Sequence, residues 1–310
     1  MPRQITFAGP AEDCAALMKR LSDLPGVVRI TLQPGTSKLP EGDVLTLEAA
    51  NQTSGEILNV MSDLGLLHKG AVSIAEPNAT IPAKTSGPVD EEGNDAIWEE
   101  IGAMLRQDTN PSFNFLALMA LAGAVAAFGI AADTIHIVVG AMLIAPGFEP
   151  LLRTVFGVLG DRHSATAGLK GTAYGYLVLA VTAAAVTPLA LTLNDLGADE
   201  LAAGYWAKYW SETRPAGVAT SLLAGVAGGI IVSSRLKVLG TGVMVALALI
   251  PTMTLIGMGL ATGLPDMVWG AAGRWVVEML CVIVGGGAIL ALKRKLLHRR
   301  GASSIGSRLR

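Results

Sequence analysis

The sequence predicts an α-helical polytopic membrane protein with a small α+β domain at its N-terminus. Only 15% of the 310 residues are charged and 51% are hydrophobic, whereas soluble proteins average about 25% charged residues. Most of the charges fall in the first 110 residues or the last 18. The interior contains apolar stretches as long as the roughly 20 residues that cross a bilayer. These features exclude an ordinary soluble enzyme.

The first domain, residues 1–77, alternates between strand-like and helix-like patterns in the order β-α-β-β-α-β. In the first helix, Cys14, Leu17, Met18 and Leu21 share one face. This order is typical of ferredoxin-like domains, in which two helices cover one face of a four-stranded antiparallel sheet. The predicted strands are 3–8, 27–32, 44–49 and 71–76, and the predicted helices are 11–26 and 54–67, with a turn region around Pro34, Gly35 and Pro40.

This domain shows no phosphate loop, metal cluster or aromatic RNA platform, so we expect no metal, no cofactor and no nucleic-acid partner. A fold of this type serves many functions, and we expect a docking or regulatory role. The start of the chain lacks the apolar core of a signal peptide, which predicts a cytoplasmic N-terminus. The two cysteines, Cys14 and Cys281, are interpreted as ordinary thiols because they offer no disulfide framework.

Residues 78–110 are predicted to form a linker followed by an amphipathic helix. Pro77, Pro82 and Pro88 stand among polar residues, a composition typical of linkers. Between Val89 and Gln107, acidic residues accompany apolar residues at helical spacing. This helix either packs on its own bundle, which is the simpler interpretation, or binds a partner.

The membrane domain, residues 111–293, is predicted to contain six helices. Four stretches carry no charge, and two contain isolated ionisable residues. A basic tail, residues 294–310, follows. The predicted spans are 112–132, 134–160, 171–194, 215–234, 238–265 and 275–292.

The protein is expected in the cytoplasmic (inner) membrane. The distribution of Lys and Arg predicts that both of its termini lie on the cytoplasmic side. Basic residues are concentrated in the loops after the second and fourth spans and in the tail, as the positive-inside rule requires. The tail either sets topology or binds anionic lipid. In the long outer loop, aromatic residues one helical turn apart indicate a helix at the lipid headgroup level. These aromatic residues are Tyr205, Trp206, Tyr209 and Trp210.

The sequence also matches itself at an offset of 102 residues. Residues 121–123 (LAG) recur at 223–225, and residues 140–142 (GAM) correspond to 242–244 (GVM). Each copy holds three spans, so the copies are predicted to run in opposite directions through the bilayer. Inverted repeats of this type occur in many transporters, with the substrate site between the halves.

The middle helix of each copy contains proline near its centre. The second span holds Pro146, Gly147 and Pro150, and the fifth holds Pro251 followed by Thr252 and Thr254. Proline removes a backbone donor, and unwound backbone at membrane depth must be buried in protein or line a watery cavity. The prolines indicate either simple kinks or a site for a substrate or ion.

Charged residues near these prolines support the second interpretation. Glu149 is costly at membrane depth, and Arg153 lies one turn further on. The two form either an intrahelical pair or a proton or cation site. Arg274 and Glu278 form a similar pair, interpreted as a structural anchor. Two residues, Asp133 and His136, are predicted at an outer mouth, where they either collect cations or belong to a solvated turn.

The stretch NPSFNFLALMALAGAVAAFGIAADTIHIVVGAMLIAP, residues 110–146, resembles the bacterial and archaeal membrane-protein family catalogued as domain of unknown function 389. GAMLIAP is the most specific part of this resemblance, which would cover residues 110–293. It implies a multi-spanning membrane fold and no particular substrate. The chain departs from the expected family pattern at Gly147, Phe148 and Glu149. Glu149 is therefore expected only in a subgroup of the family, and no mechanism is carried over from other members.

Together these features predict a transporter or channel for a small solute or ion, embedded in the lipid bilayer as a homo-oligomer. The site is expected where the second and fifth spans break. The alternative is a membrane-anchored sensor or scaffold whose N-terminal domain binds a ligand or partner. An intramembrane enzyme is not expected, because the spans offer no paired aspartates, no HExxH motif and no Ser with a nearby His.

Overall fold

The structure is a computed structural model that describes residues 3–75, 96–160, 162–234 and 239–296. The chain divides into two compact units, Met1–Ile97 and Trp98–Arg310. The described part is mostly helical, with 13 α-helices and one small antiparallel sheet. The acidic start of the predicted amphipathic helix, the Lys- and Arg-containing loop at 235–238 and nearly all of the basic tail lie outside the described residues.

The first unit contains a four-stranded sheet of order β2-β3-β1-β4. The described pairings, β1 with β3, β1 with β4 and β2 with β3, are all antiparallel. Alternate residues of β1, among them Ile5 and Phe7, are buried with Leu17 of α1 in the core, as the period of two requires. The elements are β1 (Arg3–Gly9), α1 (Ala11–Leu21), β2 (Val27–Lys38), β3 (Glu41–Ala49), α2 (Asn51–Asp63), a 3₁₀ turn (Leu66–His68) and β4 (Ala71–Ala75).

Several predicted boundaries in this unit were wrong. The region around Pro34 and Pro40 is a long β2–β3 ribbon, because Ser37 and Lys38 pair with residues 42 and 41 beyond the bulge in β2. The first helix ends at Leu21 instead of near Gly26. The second helix begins three residues early, at Asn51, and ends at Asp63 because Gly65 adopts a left-handed conformation with φ of 69°.

The second unit is a bundle of eleven described helices. They are α3 (Trp98–Thr109), α4 (Phe113–Ala131), α5 (Ile135–Ile144), α6 (Glu149–Gly160), α7 (Arg162–Leu193), α8 (Ala198–Ala203), α9 (Tyr205–Ser211), α10 (Pro215–Val232), α11 (Gly240–Ala246), α12 (Leu249–Thr262) and α13 (Pro265–Leu296). Four of them, α4, α7, α10 and α13, are long and apolar enough to cross a membrane. The pairs α5–α6 and α11–α12 each qualify as one bent span, which brings the number to six at most.

Two long helices extend beyond the predicted apolar stretches. The third predicted span, 171–194, is part of a helix that begins at Arg162, and the sixth, 275–292, is part of a helix that begins at Pro265. The predicted spans followed hydrophobicity and therefore mark only the apolar part of each helix. A helix continues through charged residues as long as its backbone bonds are made.

The amphipathic helix α3 packs on the second unit's own helices. Its buried residues include Ile101 and Leu105, and Trp98 stacks on Phe156 of α6 with ring centroids 4.3 Å apart. This arrangement agrees with the simpler of the two interpretations of this segment.

The offset of 102 residues recurs in the helix packing. α4 begins at Phe113 and α10 begins at Pro215. A Cβ atom added to Gly123 in α4 would lie 2.4 Å from the carbonyl oxygen of Leu179 in α7. The equivalent Gly225 in α10 meets the carbonyl oxygen of Cys281 in α13 at 2.6 Å. The same close approach of two helices is therefore made twice, by residues 102 apart.

Candidate functional site

Each middle helix is interrupted at an equivalent position. The first break, residues 145–148, separates α5 from α6 with a bend of 40°, and the second break, Leu247 and Ala248, separates α11 from α12 with a bend of 41°. The first residues of the two breaks, Ala145 and Leu247, lie 102 residues apart. Their backbones are extended in the same way, with φ and ψ of −94° and 132° for Ala145 and −95° and 127° for Leu247.

Proline accounts for both interruptions. Pro146 excludes its predecessor Ala145 from the helical region by steric clash. In the second copy, the helix opens at Leu247, four residues before Pro251, where the proline ring would clash with the carbonyl group of a continuous helix. Pro251 itself is the third residue of α12, so its missing N–H group costs no intrahelical bond. Pro150 is likewise in the first turn of α6. The break was expected at Pro251 itself, and the structure places its first residue four positions earlier, at Leu247.

The two breaks meet around a small apolar cavity of about 10 Å³, here called the break cavity. A volume of this size accommodates at most about one water molecule. Its lining residues form four pairs, and the members of each pair are 102 residues apart in the sequence. The pairs are Met142 with Met244, Ala145 with Leu247, Gly147 with Leu249, and Phe148 with Ile250.

A residue of the following long helix holds each break. In the first copy, the hydroxyl group of Tyr176 on α7 donates to the carbonyl oxygen of Gly147 at 2.9 Å. In the second copy, the carboxylate of Glu278 on α13 accepts a hydrogen bond from the backbone N–H group of Ala248. Tyr176 and Glu278 are also 102 residues apart. Each bond satisfies a backbone group that the interrupted helix leaves without a helical partner.

Glu278 is also paired with a buried arginine. Arg274 Nε donates to its Oε1 at 3.1 Å, and the two side chains are only 9% and 3% exposed. The Nη1 atom of Arg274 donates to the carbonyl oxygens of Tyr209 and, at 3.2 Å, Glu212. The guanidinium group lies 4.9 Å from the centre of the Tyr209 ring, a favourable cation–π distance. The predicted Arg274–Glu278 pair therefore exists. Its hydrogen bonds reach the second break at one end and, at the other, the α9 segment, which is α9 together with the following residue Glu212.

A second cavity, of about 70 Å³, is lined by two carboxylates and is here called the acidic cavity. Glu149 contributes from the first turn of α6, where a negative charge is favoured by the helix dipole, and Asp108 contributes from α3. Phe148 lines both cavities. Its ring is 2% exposed and lies against Gly228 and Gly240. Phe148 is therefore the lining residue that the acidic cavity and the break cavity share.

Arg153, predicted beside Glu149, is buried at 3% exposure. Its Nη1 atom donates to Thr109 Oγ1 at 3.1 Å and to Asn110 Oδ1 at 2.8 Å. These bonds join α6 to the end of α3. Arg153 is thus placed to position the helix that carries Asp108.

The predicted threonines are fully buried and bond to their own helix. Thr252 Oγ1 donates to the carbonyl oxygen of Ala248 at 2.6 Å, and Thr254 Oγ1 donates to that of Ile250 at 2.9 Å. Thr252 therefore contacts the second break directly. Thr254 satisfies its buried hydroxyl group on a carbonyl oxygen of the first turn of α12, a local bond that is common for Ser and Thr within helices.

The two residues predicted at an outer mouth lie at the turn between α4 and α5. Asp133 has a positive φ of 49°, and its Oδ1 atom accepts a hydrogen bond from the backbone N–H group of Trp206 in α9 at 3.0 Å. His136 is exposed in the first turn of α5. The structure thus uses Asp133 to position the α9 segment. Among the described residues, no three His, Cys, Asp or Glu side chains are close enough to hold a metal ion.

Sequence reasoning missed Tyr176 and Phe148 as site residues and underestimated Glu278. The offset of 102 connects Tyr176 with Glu278, so the repeat contained a signal for both. Phe148 is an apolar residue among many, and only its position against Gly228 in α10 and Gly240 in α11 shows that it lines both cavities.

Comparison with known proteins confirms the resemblance predicted from the sequence. Residues 142–284 match the family described as Domain of unknown function (DUF389), a narrower range than the expected 110–293. An uncharacterized protein of Methanocaldococcus jannaschii is 23% identical over 212 residues, which cover 68% of this chain and 64% of the relative. This chain therefore aligns with just under two thirds of the relative's length. No solved structure matches. Both breaks and Glu278 lie within the matched range.

Proposed function

We propose that this protein is a transporter or channel for a small solute or ion, with its pathway where the two broken helices meet. The observation that carries the proposal is the break cavity, lined by four pairs of residues that are 102 apart. Broken helices that meet between two repeats form the substrate and ion sites of many secondary transporters.

The repeats are proposed to be inverted. Each bent pair, counted as one span, gives three spans in each copy and six in all. An odd number of spans reverses the direction of the second copy, as in transporters whose halves are related by an axis in the membrane plane. Both termini are then on the same side, which the excess of Lys and Arg assigns to the cytoplasm.

The pathway is proposed to run from the acidic cavity past Phe148 into the break cavity. Glu149 and Asp108 at the wider cavity favour a cation or a solute with a positive group, because the cavity has two carboxylates. The break cavity is closed to anything larger than a water molecule. We infer that transport requires the helices on either side of Phe148 to separate.

The N-terminal unit is proposed to be a ferredoxin-like regulatory or docking domain. The element order β-α-β-β-α-β and the sheet order β2-β3-β1-β4 support this assignment.

Large apolar side chains are exposed along α7 and α13, including Leu177, Val181, Trp269 and Val284. We propose that these faces contact lipid or a second copy of the chain.

The proposal is tested by flux measurements on the full chain in proteoliposomes, with sodium, potassium, protons, chloride and glycerol as probes. A Cβ atom at Gly147 would already contact Ile250 Cδ1 and Tyr176 Oη at 3.4 Å, so Gly147→Leu is expected to fill the break cavity and abolish flux. Gly140→Leu is the matched control, because Gly140 lies on the same interrupted helix and a Cβ atom there meets nothing within 4 Å.

Flux of at least one probe that is lost in Gly147→Leu and kept in Gly140→Leu supports a pathway at the breaks. Equal flux in both variants refutes that location. The alternative of a membrane-anchored sensor is favoured by two results together. None of the five probes shows flux, and a metabolite binds the full chain without changing the membrane unit.

A further inference from the structure

Glu278 connects the second break to the α9 segment, which lies between α7 and α10 in the chain. One carboxylate oxygen accepts the N–H group of Ala248, and the other accepts from Arg274 Nε at 3.1 Å. Arg274 in turn holds the carbonyl oxygens of Tyr209 and Glu212. Two side chains of α13 thus form a continuous polar connection from the second break to the α9 segment.

We propose that Glu278 is a proton-binding site, and that its protonation releases the second break from Arg274 and the α9 segment. The inference deepens the proposed function and rests on it in assigning the proton as the ligand that controls the pathway. A carboxylate buried among apolar helices is rare and is usually found on ion or proton pathways.

The chemistry follows from the two hydrogen bonds. An ionised carboxylate is an acceptor at both oxygens, whereas the protonated acid carries a donor on one of them. Protonation therefore removes the charge-assisted bond with Arg274 and weakens or loses the bond from Ala248. Arg274 keeps its bonds to Tyr209 and Glu212, so the α9 segment and the second break become separable.

The equivalent position in the first copy explains why a proton would act on one break only. There Tyr176 donates its hydroxyl hydrogen to Gly147 at 2.9 Å. A phenol keeps this hydrogen through the physiological pH range, because its ordinary pKa is about 10. The first break is therefore held by a bond that does not titrate and the second by a bond that does.

A small pocket adjoins Glu278 near the residues that join α9 to α10. This pocket, of about 10 Å³, is lined by Thr213, Arg214, Ser221, Arg274 and Glu278, together with neighbouring apolar residues. The hydroxyl group of Ser221 and the polar residues before α10 offer positions through which a proton could pass.

Few ionisable groups on the surrounding elements face this site. The sequence of α12 contains none. Arg153 on α6 is bonded to Thr109 and Asn110. The remaining groups are Arg274 and Cys281 on α13, Arg214 at the start of α10, Tyr209 in α9, Glu212 after it, Tyr176 on α7 and Glu149 on α6. Glu212 is paired with Arg214 at 2.7 Å, which leaves Arg274 as the cation bonded to Glu278.

The test follows hydrogen exchange of peptides that contain Ala248, in the full chain in lipid nanodiscs, between about pH 5 and pH 8.5 with correction for intrinsic exchange. In the wild type, protection of this peptide is expected to fall about tenfold as the pH decreases, the loss of one charge-assisted bond. Glu278→Gln mimics the protonated acid and is expected to show low protection at every pH. Tyr176→Phe is the matched control at the equivalent position and should keep the wild-type pH dependence.

Glu278→Asp guards against a fold defect, because it retains a carboxylate and should retain a pH-dependent change with a shifted midpoint. The proposal is overturned if wild-type protection is constant over this range, or if Glu278→Gln keeps the wild-type pH dependence. Flux is measured separately on the same variants. If protection of the Ala248 peptide depends on pH but no probe shows flux, transport is refuted and the proton site at Glu278 stands. If a probe shows flux but protection does not depend on pH, the proton site is refuted and transport stands.

Discussion

Replacement of Phe148 by alanine tests whether one aromatic ring closes the proposed pathway. The ring is 2% exposed and lines both the break cavity, of about 10 Å³, and the acidic cavity, of about 70 Å³. Removing it would join the two cavities and connect Glu149 with the breaks. We expect Phe148→Ala to increase passive flux of small cations across proteoliposomes.

The size of the accompanying stability loss can be anticipated. Truncation of a buried phenylalanine to alanine costs about 3–5 kcal/mol, so part of any change could reflect a loosened fold. Phe156→Ala provides the matched control, because Phe156 lies on α6, the helix that follows Phe148, is 3% exposed and stacks on Trp98 instead of lining either cavity. Both variants should lose similar thermal stability.

The assay is efflux of sodium or potassium from proteoliposomes with equal amounts of wild type, Phe148→Ala and Phe156→Ala. Increased efflux in Phe148→Ala alone supports the role of this ring as a barrier. If Phe156→Ala leaks as much as Phe148→Ala, the leak comes from general loosening, and the assignment of a barrier to Phe148 is wrong.

Three further predictions concern packing and reactivity. Gly225→Ala should destabilise the bundle by about 1–3 kcal/mol in thermal unfolding, because the added Cβ atom would lie 2.6 Å from the carbonyl oxygen of Cys281. Gly273→Ala is the control and should not destabilise the bundle, because a Cβ atom there meets nothing within 4 Å. Equal melting temperatures of the two variants would contradict the close approach of the helices. Arg153→Met should speed hydrogen exchange in α3 by removing two bonds to that helix end, at a cost of about 1–3 kcal/mol, and unchanged exchange would argue against this role. Because burial raises the pKa of the Cys14 thiol above its ordinary value, its thiolate fraction is small at about pH 8 and iodoacetamide should alkylate it slowly until the protein is denatured; rapid labelling of the folded protein would show that the thiol is accessible.

Much of the fold follows from local pattern. The β-α-β-β-α-β order depends on periodicity and on breakers such as Gly26, which act within a few residues. The apolar helices follow from stretches that no soluble core requires. Boundaries were less predictable, because α13 continues through Asp266 and Arg274 by backbone bonding that hydrophobicity does not report.

The candidate site was predictable in position and less so in its chemistry. Pro146 and Pro251 located the breaks to within four residues, since the steric effect of proline on preceding backbone is local. Arg153 was expected to act with Glu149, and its bonds to Thr109 and Asn110, on a segment more than forty residues away in sequence, were not anticipated. Interactions of this kind depend on how helices are placed against one another, which a single sequence does not specify.

The sequence by itself therefore determined the class of protein, the repeat at an offset of 102 and the approximate places where helices break. These properties arise from composition, periodicity and the covalent geometry of proline. Only the tertiary structure decided that the two breaks meet, that Phe148 lines two cavities, and that Tyr176 and Glu278 bond to equivalent breaks. These relations join residues from different helices, and they come into being only when apolar faces and small residues such as Gly123 and Gly225 allow the helices to pack closely.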